Sequence, residues 1–323
     1  MLAAVYRSAG DSSALRVEQV ETPRPGPGEV RVRVAVSGVN PTDWKVLERS
    51  GPQRGEFAVP NQDGAGVIDA VGPGVARERL GERVWLLMAA HNNRWGTAAE
   101  YCVVPSERAV TLPDRAPFEL GASLGVPALT AWHCLCIGGC PSGDAVLVSG
   151  GAGAVGRAAI ELARHMGAER VISTVSGPEK ARIALAAGAD AAINYRDADA
   201  AAQILDVAPT GVNRFVEVAL HQNIALNLQV AAPHAVIAAY AADPQTLATL
   251  PVRDLMVANI SLRFMLLYTV KPRHLQEAIE GISAALRAGA LSTPPLHRFA
   301  LAQVAQAHDA VRNGAVGKVI IDL

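Results

Sequence analysis

Four glycines in seven positions, Gly150-Gly151-Ala152-Gly153-Ala154-Val155-Gly156, follow the apolar run Ala145-Val146-Leu147-Val148-Ser149 and precede the alanine-rich stretch 157–163. Gly151, Gly153 and Gly156 have the spacing G-x-G-x-x-G, set between a predicted strand and a predicted helix. Such a loop suits a pyrophosphate. The turn needs residues without Cβ, the phosphates must approach the backbone, and the helix start offers free N–H groups and a positive dipole end. No Gly-Lys-Ser/Thr follows, so a P-loop is not indicated. A strand–turn–helix packed tightly with no ligand is the plain alternative. In its place we expect Gly150, Gly151, Gly153, Ala154, Val155 and Gly156 to hold a dinucleotide.

About twenty residues past such a loop, an NAD site carries an Asp or Glu for the ribose hydroxyls. Here the next predicted strand, RVISTVSG, ends in Thr174, Val175 and Ser176, with no acid. Lys180 follows, and Tyr195-Arg196 closes the strand after that. A hydroxyl, an ammonium and a phenol suit a 2′-phosphate, so NADPH is expected over NADH. Singly, Lys180 reads as a solvated helix residue and Tyr195 as a packing residue.

The elements that must position these residues follow from the pattern of the chain. Its 323 residues suggest two domains with room for buried cores. With 29 basic and 30 acidic residues, nothing advertises a nucleic-acid or membrane partner. No run of eighteen apolar residues is present, and the first residues do not read as a secretory signal. Four cysteines, three of them at 134, 136 and 140, do not read as a disulfide framework, so a cytoplasmic setting is expected.

The first 115 residues read as short strands between glycine turns, EVRVRVAVSG alternating strictly as a half-buried strand does. From about Pro117 the texture changes to helical segments, expected to break at Gly125-Val126-Pro127. Beyond the loop, strands and helices alternate through HAVIAAYAA, the mark of a doubly wound parallel sheet. SLRFMLLY is a further apolar strand, followed by a long amphipathic helix and a last strand. The fold class is α/β. A nucleotide domain over 118–262 sits within a second domain made from 1–117 and 263–323.

Taken together, GEVRVRVAVSGVNPTDW, PNQDGAGVIDAVGPGV, GERVW, GTAAEY, GVPALTAWHCL, VLVSGGAGAVGRAAIELA, GADAAINYRD and GAVGKVIIDL resemble the medium-chain dehydrogenase/reductase superfamily, in its quinone oxidoreductase (zeta-crystallin-like) branch. The resemblance implies a GroES-like β-rich catalytic domain, a Rossmann domain, NADPH as hydride donor, and a homodimer through the Rossmann edge strand SLRFMLLY. It implies an interdomain cleft lined by Asn40, Asp43 and Asp63, with Thr130 near the nicotinamide and Tyr240 and Lys318 on the cofactor side. Asn40 also reads as a turn residue before Pro41, Asp43 as a helix cap, and Asp63 as an acceptor of backbone bonds.

Zinc-dependent members resemble a pattern with Cys at Asn40 and Gly-His-Glu at Asn61-Gln62-Asp63. The amides here are poor zinc ligands, and the cysteine-rich structural zinc lobe is absent. Residues i and i+2 of a helix do not share a face, so Cys134, Cys136 and Cys140 with His133 read as thiols of a packed helix. A metal-free enzyme is expected, working on acceptors that are already electron-poor. Quinones come first and enones or enoyl thioesters second, with a cofactor-binding structural role as a third reading. Two departures bear on the acceptor: Pro52 and Gln53 stand where an aromatic is usual, and Pro233-His234 stand where Gly-Gly is usual.

Overall fold

The computed structural model describes residues 1–243 and 245–323, in two compact units. The first contains residues 1–126 and 293–323, the second residues 127–292.

In the first unit β1 (Leu2–Val5) and β2 (Arg16–Gln19) form an antiparallel pair. The main sheet uses β3 (Glu29–Val39), β4 (Asp63–Val71), β5 (Arg83–Leu86), β6 (Tyr101–Pro105) and β7 (Ala109–Thr111). Helix α1 (Pro41–Arg49) follows β3, and α2 (Phe118–Gly121) follows β7. The alternation read in β3 is present: Val30, Val32, Val34 and Val36 are buried, while Arg31 pairs with Asp69 at the surface.

The chain's end returns as β14 (Leu296–Ala300), α10 (Val304–Arg312) and β15 (Lys318–Asp322), giving the order β14-β15-β3-β4-β5-β7 with β6 also on β3. Register decides what meets. Val319 faces Val39 across β15 and β3, and Gly38 faces Asp63 across β3 and β4. Residues 40, 63 and 318, far apart in sequence, therefore share one end of three adjacent strands.

In the second unit α3 (Gly125–Cys136), whose first two residues belong to the first unit, leads to β8 (Ala145–Ser149) and α4 (Ala154–His165). The alternation continues with β9 (Arg170–Val175), α5 (Pro178–Ala186), β10 (Ala191–Asn194), α6 (Ala200–Val207) and β11 (Val212–Glu217). It closes with α7 (Leu220–Val230), β12 (Ala231–Ala239), α8 (Val252–Val257), β13 (Ser261–Phe264) and α9 (Pro272–Ala288). The six strands are parallel in the order β10-β9-β8-β11-β12-β13. Every residue of β8 is buried, as expected of a central strand covered on both faces. Strand order reverses at β8, which puts a ligand crevice at the carboxyl ends of β8 and β11.

Two expectations need correction. The chain leaves the second unit after Ser292, not at 263. β13 is the sixth strand of the parallel sheet, and α9 rests Gly281 on the Trp132 ring, where any Cβ would lie 1.8 Å from the indole. Ser292 itself is tied to α4 through Arg157 and Glu161. The break between the helices falls at 122–124, and Gly125-Val126-Pro127 opens α3 instead. Proline is tolerated in a first turn, where its missing N–H has no intrahelical role.

Candidate functional site

The glycine loop leaves β8 with Gly150 at φ 74°, a conformation that favours glycine. A Cβ on Gly151 would lie 2.1 Å from Ser173 Oγ, and one on Gly156 would lie 2.3 Å from the Gly150 carbonyl oxygen. Packing alone explains those two glycines. Gly153 is different. It has φ −78°, and its nearest neighbour to an added Cβ, at 3.4 Å, makes an ordinary contact. It is the N-cap of α4 yet brings no side-chain acceptor to the helix's first N–H groups. Bare backbone at an uncapped helix start leaves N–H groups free to bind an anion.

Around this loop the structure gathers several of the expected residues. Gly150 donates its N–H to the Thr174 carbonyl at 3.0 Å, and Tyr195 donates its N–H to the Val175 carbonyl at 3.1 Å. Thr174, Ser176 and Tyr195 thus stand at adjacent strand ends, with the half-buried Lys180 in the first turn of α5. The Arg196 guanidinium lies 5.6 Å from the centre of the Tyr195 ring.

Sequence reasoning passed over Glu217, the last residue of β11. Its buried carboxylate accepts from Ser149 Oγ at 2.9 Å, the Ala219 N–H at 2.6 Å, Asn223 Nδ2 at 2.8 Å and Asn227 Nδ2 at 2.7 Å. It braces the strand that feeds the loop, and an acid closing a core strand was the available signal. Tyr240 directly follows the neighbouring β12, its N–H donating to the Glu217 carbonyl at 3.1 Å. Burial, with Cys134 and Glu217 adding to it, raises its phenol above the ordinary range. Thr130 is a buried residue of α3 in the same unit.

The other cluster belongs to the first unit. Asn40 caps α1, and its N–H donates to Asp43 Oδ2 at 2.7 Å. Its side-chain amide faces elsewhere: Nδ2 donates to Asp63 Oδ2 at 2.7 Å, and Oδ1 accepts from Lys318 Nζ at 2.7 Å. Lys318 Nζ also reaches Asp63 Oδ2 at 3.1 Å, with the lysine only 1% exposed. Asp63 Oδ1 accepts the Val126 N–H at 2.8 Å at the start of α3, where a helix favours an anion. Gly125 makes that approach possible, since a Cβ there would lie 2.2 Å from the same oxygen. Lys318, expected beside the cofactor, is therefore grouped with Asn40 and Asp63.

Behind Asp63 runs a chain with only one consistent direction. Thr97 Oγ1 donates to the Asp63 carbonyl, so it must accept from Ser37 Oγ at 2.7 Å. Ser37 in turn accepts from Asn61 Nδ2 at 3.0 Å, which leaves Asn61 Oδ1 to accept from His308 Nε2 at 2.9 Å. His308 is accordingly the Nε2–H tautomer, its buried Nδ1 without a partner among the described residues, and burial pushes its pKa down to about 4. Asn61, at φ 79°, adopts the left-handed backbone that asparagine tolerates.

Asp43 accepts the Gln62 N–H at 3.1 Å. Burial, then the charge of Asp63, raises its carboxyl to about 8. Folded Asp43 thus holds a proton that the unfolded chain releases near pH 4, so its contribution to stability is lost as pH rises through about 8. His308 acts in the opposite sense, losing stability as pH falls from 6.5 towards 4. Urea titrations of the wild type should therefore show stability declining between about pH 6.5 and 8, by up to about 1.4 kcal/mol per unit, and levelling above that. Asp43→Asn should flatten that decline, and an unchanged slope in the variant would contradict the assignment.

Among the described residues no group of three or more His, Cys, Asp and Glu could hold a metal ion, and no helix is long and apolar enough to cross a membrane. Cys134 is buried and Cys140 exposed beyond the end of α3. Known proteins fit this geometry. Residues 26–114 match the family described as alcohol dehydrogenase GroES-like domain, and residues 154–284 match that described as zinc-binding dehydrogenase. The quinone oxidoreductase of Homo sapiens is 28% identical over 324 residues, covering 98% of this chain and 96% of the relative. A mycobacterial structure complexed with NADPH aligns at 28% identity with TM-score 0.83, covering both chains fully. An NAD-dependent alcohol dehydrogenase structure aligns at 27% with TM-score 0.87, also over both full lengths.

Proposed function

We propose, on the premise that this chain belongs to the medium-chain dehydrogenase/reductase superfamily, that it oxidises NADPH and passes the hydride to a quinone without a metal. The observation that carries this reading is the uncapped backbone cradle at Gly153, joined to full-length similarity with quinone oxidoreductases. The loop from Gly150 to Gly156 and the start of α4 would hold the pyrophosphate. Thr174, Ser176, Lys180 and Tyr195 would hold the 2′-phosphate, with Tyr240 and Thr130 on the nicotinamide side. Bound there, NADPH supplies a hydride from C4 of its nicotinamide.

The donor set of the first unit does not fit zinc. It offers amide and carboxylate oxygens where thiolate and imidazole are favoured, and Asn40 Oδ1 and Asp63 Oδ2 are already bonded to the Lys318 ammonium. A quinone needs little activation. The protein has to orient it, exclude water and offer a place for the developing negative charge, which we assign to the protonated Asp43 carboxyl and the Asn40 amide, with Lys318 offsetting the charge of Asp63. The proton for the reduced oxygen can come from water.

Lys180 decides the choice of cofactor. Lys180→Ala should weaken NADPH by about 10–100-fold, the loss of one charged contact, and leave NADH within about twofold. Equal weakening of both would remove the 2′-phosphate assignment. The reaction itself is tested by following NADPH consumption across a panel of quinones and enones. Turnover with quinones supports the proposal. Turnover confined to enones indicates a double-bond reductase on this scaffold, and binding of NADPH without turnover indicates a structural role. We further propose a homodimer through β13, an edge strand with Phe264 69% exposed and Met256, Val257 and Leu266 also exposed nearby.

A further inference from the structure

We propose that Lys318 is a positioning residue for reduction of the acceptor: its ammonium is the resident cation of the first unit's polar cluster, holding Asn40 and Asp63. This rests on the hydride-transfer reading above.

Space is made for the ammonium. Lys318 opens β15, and its side chain runs past Gly38 of β3, where a Cβ would lie 2.9 Å from Lys318 Cε and 2.1 Å from the Ala122 carbonyl oxygen. Gly317, at φ 97°, precedes it, and a Cβ there would lie 2.3 Å from the Pro295 carbonyl oxygen. Two glycines that accept no side chain without a shift thus flank the path of one lysine.

The ammonium also fixes its neighbours. Lys318 Nζ sits 2.7 Å from Asn40 Oδ1 and 3.1 Å from Asp63 Oδ2, while Asn40 Nδ2 closes the triangle on the same Asp63 oxygen at 2.7 Å. With the ammonium present, the Asn40 amide has one orientation that satisfies both neighbours. Without it, Oδ1 loses its donor and Asp63 loses its countercharge, while Asp43 lies close enough to feel the Asp63 charge. Burying an ion pair gains little over a well-packed apolar side chain of similar length, so stability alone does not account for a lysine that is 1% exposed. A lysine that neutralises Asp63 and fixes the Asn40 amide beside the groups assigned to the acceptor does account for it, because an uncompensated carboxylate there would oppose the developing anion.

The test uses the full-length protein. The double variant Asp63→Asn/Lys318→Met removes both charges together, so it should fold. It should lower kcat by about 100-fold while leaving the Kd for NADPH within about twofold. Lys318→Ala opens room for a small cation. Propylammonium should restore part of its kcat and raise its Tm, and propanol, of similar shape but uncharged, should do neither. A double variant with wild-type kcat, a Kd for NADPH raised at unchanged kcat, or rescue by propanol equal to that by propylammonium would each overturn the proposal. A wild type that turns over no acceptor would overturn the hydride-transfer reading itself. In that case the amine-dependent rise in Tm still reports separately whether position 318 is a cation site.

Discussion

Replacing Gly153 with valine is expected to leave the protein folded and to weaken NADPH binding by about 100-fold or more. The expectation follows from what each glycine of the loop does. Valine at 151 or 156 would collide with Ser173 or with the Gly150 carbonyl, so loss of binding there would be confused with loss of structure. At 153 the backbone is extended, φ −78° and ψ 164°, and the space beside an added Cβ is ordinary. The cost to the fold is about 1 kcal/mol at an N-cap, or a few degrees in Tm. The cost to the cofactor is larger. A branched side chain over the uncapped end of α4 keeps the pyrophosphate from the N–H groups, and charged hydrogen bonds lost there are worth about 1.5–3 kcal/mol each. Two of them already give the stated factor. Fluorescence titration with NADPH beside a thermal melt checks this, and unchanged affinity would remove the loop from the cofactor site.

The second large effect concerns stability. Asp63→Ala should destabilise the protein by about 3–5 kcal/mol, because it leaves the buried Lys318 ammonium without its countercharge. The start of α3 loses its acceptor at the same time, since Val126 donates to the other Asp63 oxygen. Asp63→Ala/Lys318→Met should recover much of the loss, as no unpaired charge then remains inside. Urea unfolding of the two variants checks the pair of statements. An additive loss in the double variant would mean that the ion pair is not what Asp63 supports.

Much of the second unit was legible from its residues. The loop is local, as are the buried strand before it and the alternation of elements after it, so short-range patterns sufficed. The missing acid after RVISTVSG was legible for the same reason. The point of return to the first unit was not. The pattern of α9 suits either unit, and its place was decided by the Gly281–Trp132 contact and by the bonds of Ser292 to α4. In the first unit Asn40, Asp43 and Asp63 stood out singly. What joins them did not, because Lys318 lies 278 residues from Asn40 and His308 lies 247 from Asn61 in the chain. Partners at such separations are set by strand register, which side-chain types do not declare. Glu217 escaped notice because its work is done by four bonds that converge only in three dimensions.

The proposed metal-free hydride transfer from NADPH to a quinone is tested most directly by the rate of NADPH oxidation with a small p-quinone by protein stripped with a chelator and verified by elemental analysis. The stripped protein should turn over at the rate of the untreated protein, with no gain when zinc is added back. Activity that vanishes on stripping and returns in proportion to bound zinc would contradict the account.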